Sequence, residues 1–439
     1  MYAPITAQFR TLLHPAFFDV GAGLYAGLYK EDIPMKYDRL ALASLVTAAR
    51  RGEIDRSAFL QRAALLGGAA AFSGGLWSAL QGFSPTIGEA ASAYPISNMT
   101  ATQLAALYKS LPFTKALPLP EGPIAVKGKV KQITLGFSQT GFNHPWRIAM
   151  IAAAQAEVAR HPNVHLVITD GQVNIEKQSH DVQDLLAQNV DAVVMSPVEA
   201  AGLTPAAHRV MAANAPLIVL DRDMPTAKTL FIGQSNVTMG RNVARKMIQD
   251  LRGRGHLLEI TGLIGSSPAI DRQRGMRDAL KEAPGIKILA TGDGQWIRDP
   301  AEKLMQDWLV EFKAKSIDAV FSHAEESSWG AELAIVRASR CGDRIHHYTH
   351  DGSNAGFMSV KRGTFRADGN YSPYIGDIGV RAALYALMGK TLIGKQRYSE
   401  PGWLYRLPDS PVVMAENATT WIGHGWGTFA PPPDKCISA

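Results

Sequence analysis

From residue 132 onward the chain alternates short runs of apolar and β-branched residues with helix-length segments. QITLGF (132–137), VHLVIT (164–169), DAVVMS (191–196), PLIVLD (216–221), LFIG (230–233), LLEITG (257–262), IKILAT (286–291), DAVFSH (318–323) and IHHYTH (345–350) are apolar nearly throughout rather than at every second position. Strands of that kind are buried on both faces, the signature of parallel sheets covered by helices. After the first run, Ile148, Ile151, Ala152, Val158 and Ala159 recur at helical spacing and predict a helix with one apolar stripe. The class is α/β, doubly wound. About ten strands exceed one comfortable sheet, so two lobes of similar build are expected.

The N-terminal third follows a different pattern. From Ala63 to Gly88 the chain carries no charge apart from its flanks; Arg50, Arg51, Arg56 and Arg62 precede this run and Ala91, Ser92 and Ala93 follow it. Basic, then apolar, then small-x-small is the layout of a secretory signal, with cleavage expected after Ala93. A retained transmembrane helix is the alternative, for which the Gly and Ala content makes a poor anchor. EIDRSAFLQRAALLGGAAA (53–71) resembles a twin-arginine export signal, but Ser57 stands where the second arginine belongs. Met35, followed by Lys36, is a more ordinary signal start than Met1. Residues 1–93 thus read as a leader, and 94–129 as a linker with five prolines and a short helix candidate, TATQLAALYKSL.

Composition narrows the function. The net charge of +6 and pI near 9.1 come from scattered Lys and Arg, with no run of five like charges. That is a solvated surface, and nucleic acid is not an expected partner. Cys341 and Cys436 are too few for a zinc motif or a redox pair, and leave one disulfide or two free thiols equally open. His346, His347 and His350 lie on one strand, where neighbours alternate faces, so ordinary partners rather than a metal are expected. No nucleophile elbow, Walker loop, HExxH or GxGxxG follows the first strand, so the chain reads as a non-enzyme without cofactor.

The chemically distinctive residues fall at the carboxyl ends of the predicted strands, where open parallel sheets bind ligands. The first strand-to-helix turn, SQTGFNHPWR, carries Asn143, Trp146 and Arg147 where a nucleotide binder would place glycines. Asp221 and Arg222 end PLIVLDR, Arg272 sits in SSPAIDRQRG, Trp296 in GDGQWIRD, Asp351 ends HHYTHD, and Asn370 lies in ADGNYSP. Carboxylates accept from hydroxyls, guanidinium and amide groups donate to them, and flat aromatic rings cover C–H faces, which is the set a polyol requires. Glu325 and Glu326 are sequence neighbours rather than facing carboxylates, and read as cleft rim.

Residues 131–430 resemble the type I periplasmic sugar-binding proteins of ABC transporters, the ribose-binding-like family. PWR (145–147), TDGQ (169–172), LDRD (220–223), AIDRQRG (269–275) and THDG (349–352) look most like its galactofuranose-binding branch. The resemblance implies two lobes joined by a three-strand hinge. It places the N-terminal lobe at 130–235 plus 371–398 and the C-terminal lobe at 236–370 plus 399–430. It also implies a periplasmic monomer that delivers a sugar to an inner-membrane ABC permease, with Trp146, Arg147, Asp221, Arg222, Arg272, Trp296, Asp351 and Asn370 at the family's ligand-contact positions, to which the reading of the strand ends adds Asn143. The effector core of a LacI-type regulator shares the fold, but would require an N-terminal DNA-reading helix that the uncharged leader does not supply. One departure stands out: after DAVFSH the family continues with asparagine, and here Ala324 occupies that position, which predicts extra room in the cleft.

Overall fold

A computed structural model describes residues 119–390, 396–397, 402–407, 409, 412–427, 430–432 and 436. The leader, its cleavage site, the start at Met35 and most of the linker lie outside the described residues.

All nine runs picked out by the apolar pattern are strands. After a small hairpin of β1 (Ala125–Val126) and β2 (Lys129–Val130) come β3 (Ile133–Gln139), helix α1 (Pro145–Val158), β4 (Val164–Asp170), α2 (Ile175–Ala187), β5 (Ala192–Met195), α3 (Thr204–Ala212), β6 (Leu217–Leu220) and β7 (Leu230–Gly233). The second half repeats the alternation with α4 (Asn236–Asp250), β8 (Arg254–Thr261), α5 (Ser267–Leu280), β9 (Gly285–Asp293), α6 (Arg298–Glu311), β10 (Ala319–Ser322), α7 (Glu325–Arg337), β11 (His346–Asp351) and α8 (Asn354–Arg362). Then follow β12 (Phe365–Asn370), α9 (Ile375–Leu387), β13 (Gln396–Arg397), β14 (Trp403–Arg406), β15 (Val412–Met414) and α10 (Ala418–Trp421).

Two sheets result. One has the order β13-β14-β7-β6-β5-β3-β4 and the other β15-β12-β11-β10-β8-β9; both are parallel except for the antiparallel edge strands β13 and β15. β5 (AVVM) and β6 (LIVL) are fully buried because each sheet carries a hydrophobic cluster on either face. The chain passes between the sheets after β7, after β12 and after β14.

Two expectations are corrected and one open question is resolved. Residues 399–430 do not all belong with the second lobe: Leu404 of β14 pairs with Phe231 in the first sheet, and Trp403 and Tyr405 pack on the first core. Helix α1 shows no single stripe but is buried from Trp146 through Ala154, because α9 crosses it so closely that a Cβ on Gly376 would overlap the Met150 carbonyl. Its last stripe position, Ala159, is an exposed C-cap. The two cysteines, left open by the sequence, form a disulfide across a separation of 95 residues.

Candidate functional site

The carboxyl ends of both sheets face one cleft, the position at which open parallel sheets bind small molecules. Eight of the nine expected residues line it: Asn143, Trp146, Arg147, Asp221, Arg222, Arg272, Trp296 and Asp351.

The first turn supplies one wall. His144 caps α1, its Nδ1 accepting the Trp146 N–H at 3.1 Å, and Pro145 presets the first helical residue. Burial, reinforced by Arg147, lowers the His144 pKa to about 3, so the ring is neutral. With Nδ1 accepting, the proton of the neutral ring sits on Nε2. Arg147 is held by Ser196 Oγ at 2.6 Å and by Asp221 Oδ2 at 2.9 Å. The neighbouring Arg222 lies 3.9 Å from the same carboxylate oxygen, and burial followed by repulsion from Arg147 depresses its pKa. Asp221 itself has φ +65, a left-handed conformation at a strand end.

The opposite wall comes from the second sheet. Arg272 donates through Nε to Asn236 Oδ1 at 2.9 Å and through Nη1 to the His323 carbonyl and, at 3.2 Å, to Asp351 Oδ1. Its position depends on two glycines, because a Cβ on Gly275 would overlap the Val237 carbonyl and one on Gly240 the Arg272 carbonyl, so α4 and α5 pack backbone to backbone. Burial raises Asp351 to about 7 even though Arg272 opposes the shift. Trp296 sits on Gly262, where any side chain would overlap its ring, and lies 5.4 Å from the Arg272 guanidinium and 5.9 Å from that of Arg222. A cation from each lobe thus meets one indole.

Asn370 is the exception. It is buried beneath the surface, outside the cleft lining, its side chain packed where Gly352 (φ +78) leaves no room for a Cβ. The next residue, Tyr371, takes the expected place in the cleft. Nothing in the strand-end reading marked it, because FRADGN, the sequence of β12, is too polar to stand out as a buried strand. The strand-end pattern, with THD closing β11, was the signal available. Thr140, His144 and Gln295 were likewise passed over.

Two further expectations fail. Ala324 is fully buried and outside the lining, so the extra room predicted beside it is not cleft volume. Glu325 is not rim: it is buried in the first turn of α7 and accepts the Ser353 N–H at 2.7 Å. Burial and the adjacent Asp368 push its pKa well up. Glu326 is engaged by Arg298 at 2.9 Å. Of the histidines, His347 faces Glu332 at 3.2 Å and His350 the Ser322 carbonyl at 2.9 Å; among the described residues no metal-ligating cluster is present.

Comparison with known proteins agrees with this geometry. A profile of the periplasmic binding protein domain matches residues 135–391. A galactofuranose-binding protein of Escherichia coli is 32 % identical over 212 residues, 47 % of this chain and 66 % of the relative. A xylitol-binding protein of Mycolicibacterium smegmatis is 29 % identical, covering 47 % of this chain and 59 % of its own length, so the matches span just under two thirds of these relatives. Both relatives are binding proteins, not enzymes. Among solved structures, a galactofuranose binding protein superposes with TM-score 0.61 at 26 % identity, covering 67 % of this chain and 98 % of that one. The arabinose-transporter component of Shewanella sp. ANA-3, bound to L-arabinofuranose, gives 0.60 at 26 %, covering 66 % and 94 %.

Proposed function

Because the chain belongs to the periplasmic binding protein domain family, we propose that it captures a sugar or related polyol between its lobes and delivers it to the permease of an ABC transporter. The observation that carries this reading is the convergence of Arg147, Asp221 and Arg222 from one sheet with Arg272, Trp296 and Asp351 from the other on one cleft. Such a lining matches a ligand rich in hydroxyls. Each hydroxyl donates and accepts, so Asp221 and Asp351 serve as acceptors while the guanidinium groups donate. The covered aromatic faces and the buried, cation-bearing walls provide the water-excluding surface that makes those bonds selective. The galactofuranose-binding relative and the arabinofuranose-bound structure are the reason to try five-membered ring forms first.

The same reading makes the protein a periplasmic monomer released by cleavage after Ala93. The disulfide between Cys341 and Cys436 fits an oxidising compartment. The test is a thermal-shift screen against D-galactose, L-arabinose, D-ribose, D-fructose, xylitol and myo-inositol. A ligand that binds only the folded state raises Tm by mass action, by about 2.7 kcal/mol of stability at a hundred times Kd. At least one of these compounds is expected to raise Tm in a saturable way, and a flat panel would refute the polyol reading.

A further inference from the structure

Tyr371 is the cleft residue whose environment is most specific. It is the first residue after β12, on one of the three crossings between the lobes. Its ring lies parallel to that of Trp146, 5.4 Å away with 9° between the planes. The Arg272 guanidinium stands 5.4 Å from its centroid. Its carbonyl accepts the Trp146 Nε1–H at 2.8 Å, and its N–H donates to the Asp351 carbonyl at 3.2 Å. One tyrosine is thereby fixed by an indole of the first lobe and a guanidinium of the second, with its own backbone bonded to Trp146 and Asp351. A side chain held in this way presents its tip at a constant position and loses little entropy when a ligand arrives.

That tip is chemically unfinished. Tyr371 is buried, lines the cleft, and turns its hydroxyl toward the Asp221 carboxylate, a pairing looser than a hydrogen bond of ordinary geometry. Burial, and then the negative charge of Asp221 beside it, push the phenol well above its usual pKa, so the O–H stays protonated. A buried hydroxyl that is paired only loosely gains a better partner when a ligand group arrives. Asp221 has one oxygen engaged by Arg147, and among its near neighbours Tyr371 brings a neutral donor and acceptor. A carboxylate that only accepts, next to a phenol that does both, matches two hydroxyls on adjacent carbons.

We propose that Tyr371 is a specificity-determining ligand contact, its hydroxyl acting with the Asp221 carboxylate to recognise a vicinal diol of the bound polyol. This rests on the polyol reading above. It adds to it a residue and a substructure: polyols with that diol bind, and analogues lacking either hydroxyl are rejected, because a site built to hydrogen-bond a hydroxyl is left with unpaired polar groups when the hydroxyl is missing.

The test is calorimetric titration of the full chain and its Tyr371→Phe variant. The probes are D-galactose, L-arabinose, D-ribose, xylitol and myo-inositol, followed by the monodeoxy derivatives of whichever binds. Phenylalanine keeps the ring between Trp146 and Arg272 and removes only the hydroxyl, so the variant should stay folded, which its unligated Tm checks. The parent compound should bind the variant roughly 3- to 10-fold more weakly. One monodeoxy derivative should lose affinity for the wild type and lose no more for the variant, whereas the other derivatives lose affinity additively with the substitution. Wild-type affinity in the variant, or additive losses for every derivative, would overturn the assignment while leaving the polyol reading intact. Absence of binding by wild type to all five parent compounds would overturn both.

Discussion

Asp351 is the residue at which burial and chemistry pull hardest against each other. Its carboxyl is raised to about 7 by burial, against the attraction of Arg272, and its backbone lies at φ +132, a conformation seldom adopted by a residue with a side chain. The consequence for stability has a definite sign. Between the ordinary Asp value near 4 and about 7 the folded state holds a proton that the unfolded chain has lost, so this group's contribution falls as pH rises through that window. His144, His323 and His350, all lowered by burial, act in the opposite direction at acidic pH, so the effect must be read as a difference. The stability of wild type minus that of Asp351→Asn should decline steadily from pH 4 to pH 7 and level off above, as measured by urea unfolding at each pH. A difference independent of pH would mean that Asp351 titrates normally. Arg272→Ala acts on binding instead. Removing a guanidinium that bonds Asn236, His323 and Asp351 should cost about 2 to 4 kcal/mol of ligand affinity, roughly 30- to 1000-fold, measured by calorimetry. At this scale the sequence was informative where chemistry sits at the end of an apolar strand, as for Asp221, Arg222 and Asp351. It was silent on Tyr371, whose strand is polar, and misleading on Asn370, whose side chain turns into the protein one residue before the cleft.

At the scale of elements, the apolar runs announced their strands because a strand buried on both faces has no polar positions to dilute the pattern. Of the strands among the described residues six were missed: the two-residue β1, β2 and β13, the partly exposed β14, the edge strand β15, and β12, which is buried but too polar to stand out. Missing β14 is what misassigned the third crossing, since nothing in WLYR itself says which of two sheets it joins. Helix packing was legible in part. AIDRQRG was noticed for its arginine, but the glycine that ends it does the structural work of bringing α5 against α4. Gly275→Ala should therefore push the two helices apart, lower stability by about 1 to 3 kcal/mol in denaturant unfolding, and weaken ligand binding through the displaced Arg272. Retention of both wild-type stability and affinity would show that the crossing has slack. The disulfide acts on the same lobe, tying residue 436 back to the turn after α7 and closing a separation of 95 residues, a constraint worth several kcal/mol, up to about 5, in the chain-entropy account.

For the whole molecule the informative fact is how the lobes meet. The Ala200 N–H donates to the Gly265 carbonyl at 3.1 Å, the Asp223 N–H to Ser267 Oγ at 2.8 Å, and Arg222 reaches the Trp296 ring, each contact crossing from one lobe to the other. Three chain crossings connect the lobes, so closure is an equilibrium that a ligand can bias by touching both sides. A polyol bonded to Asp221 on one wall and Arg272 on the other binds the closed form better, and shifts the population by that difference in affinity. The two-lobed plan was legible from the number of buried strands; the contacts between the lobes were not, because they come from turns that carry no periodic signal. The most direct measurement is small-angle scattering of the protein titrated with whichever polyol raises its Tm. A polyol held between the lobes predicts a radius of gyration that falls on addition and reaches a plateau at saturation. A radius that stays constant from the free to the saturated protein would contradict capture between the lobes.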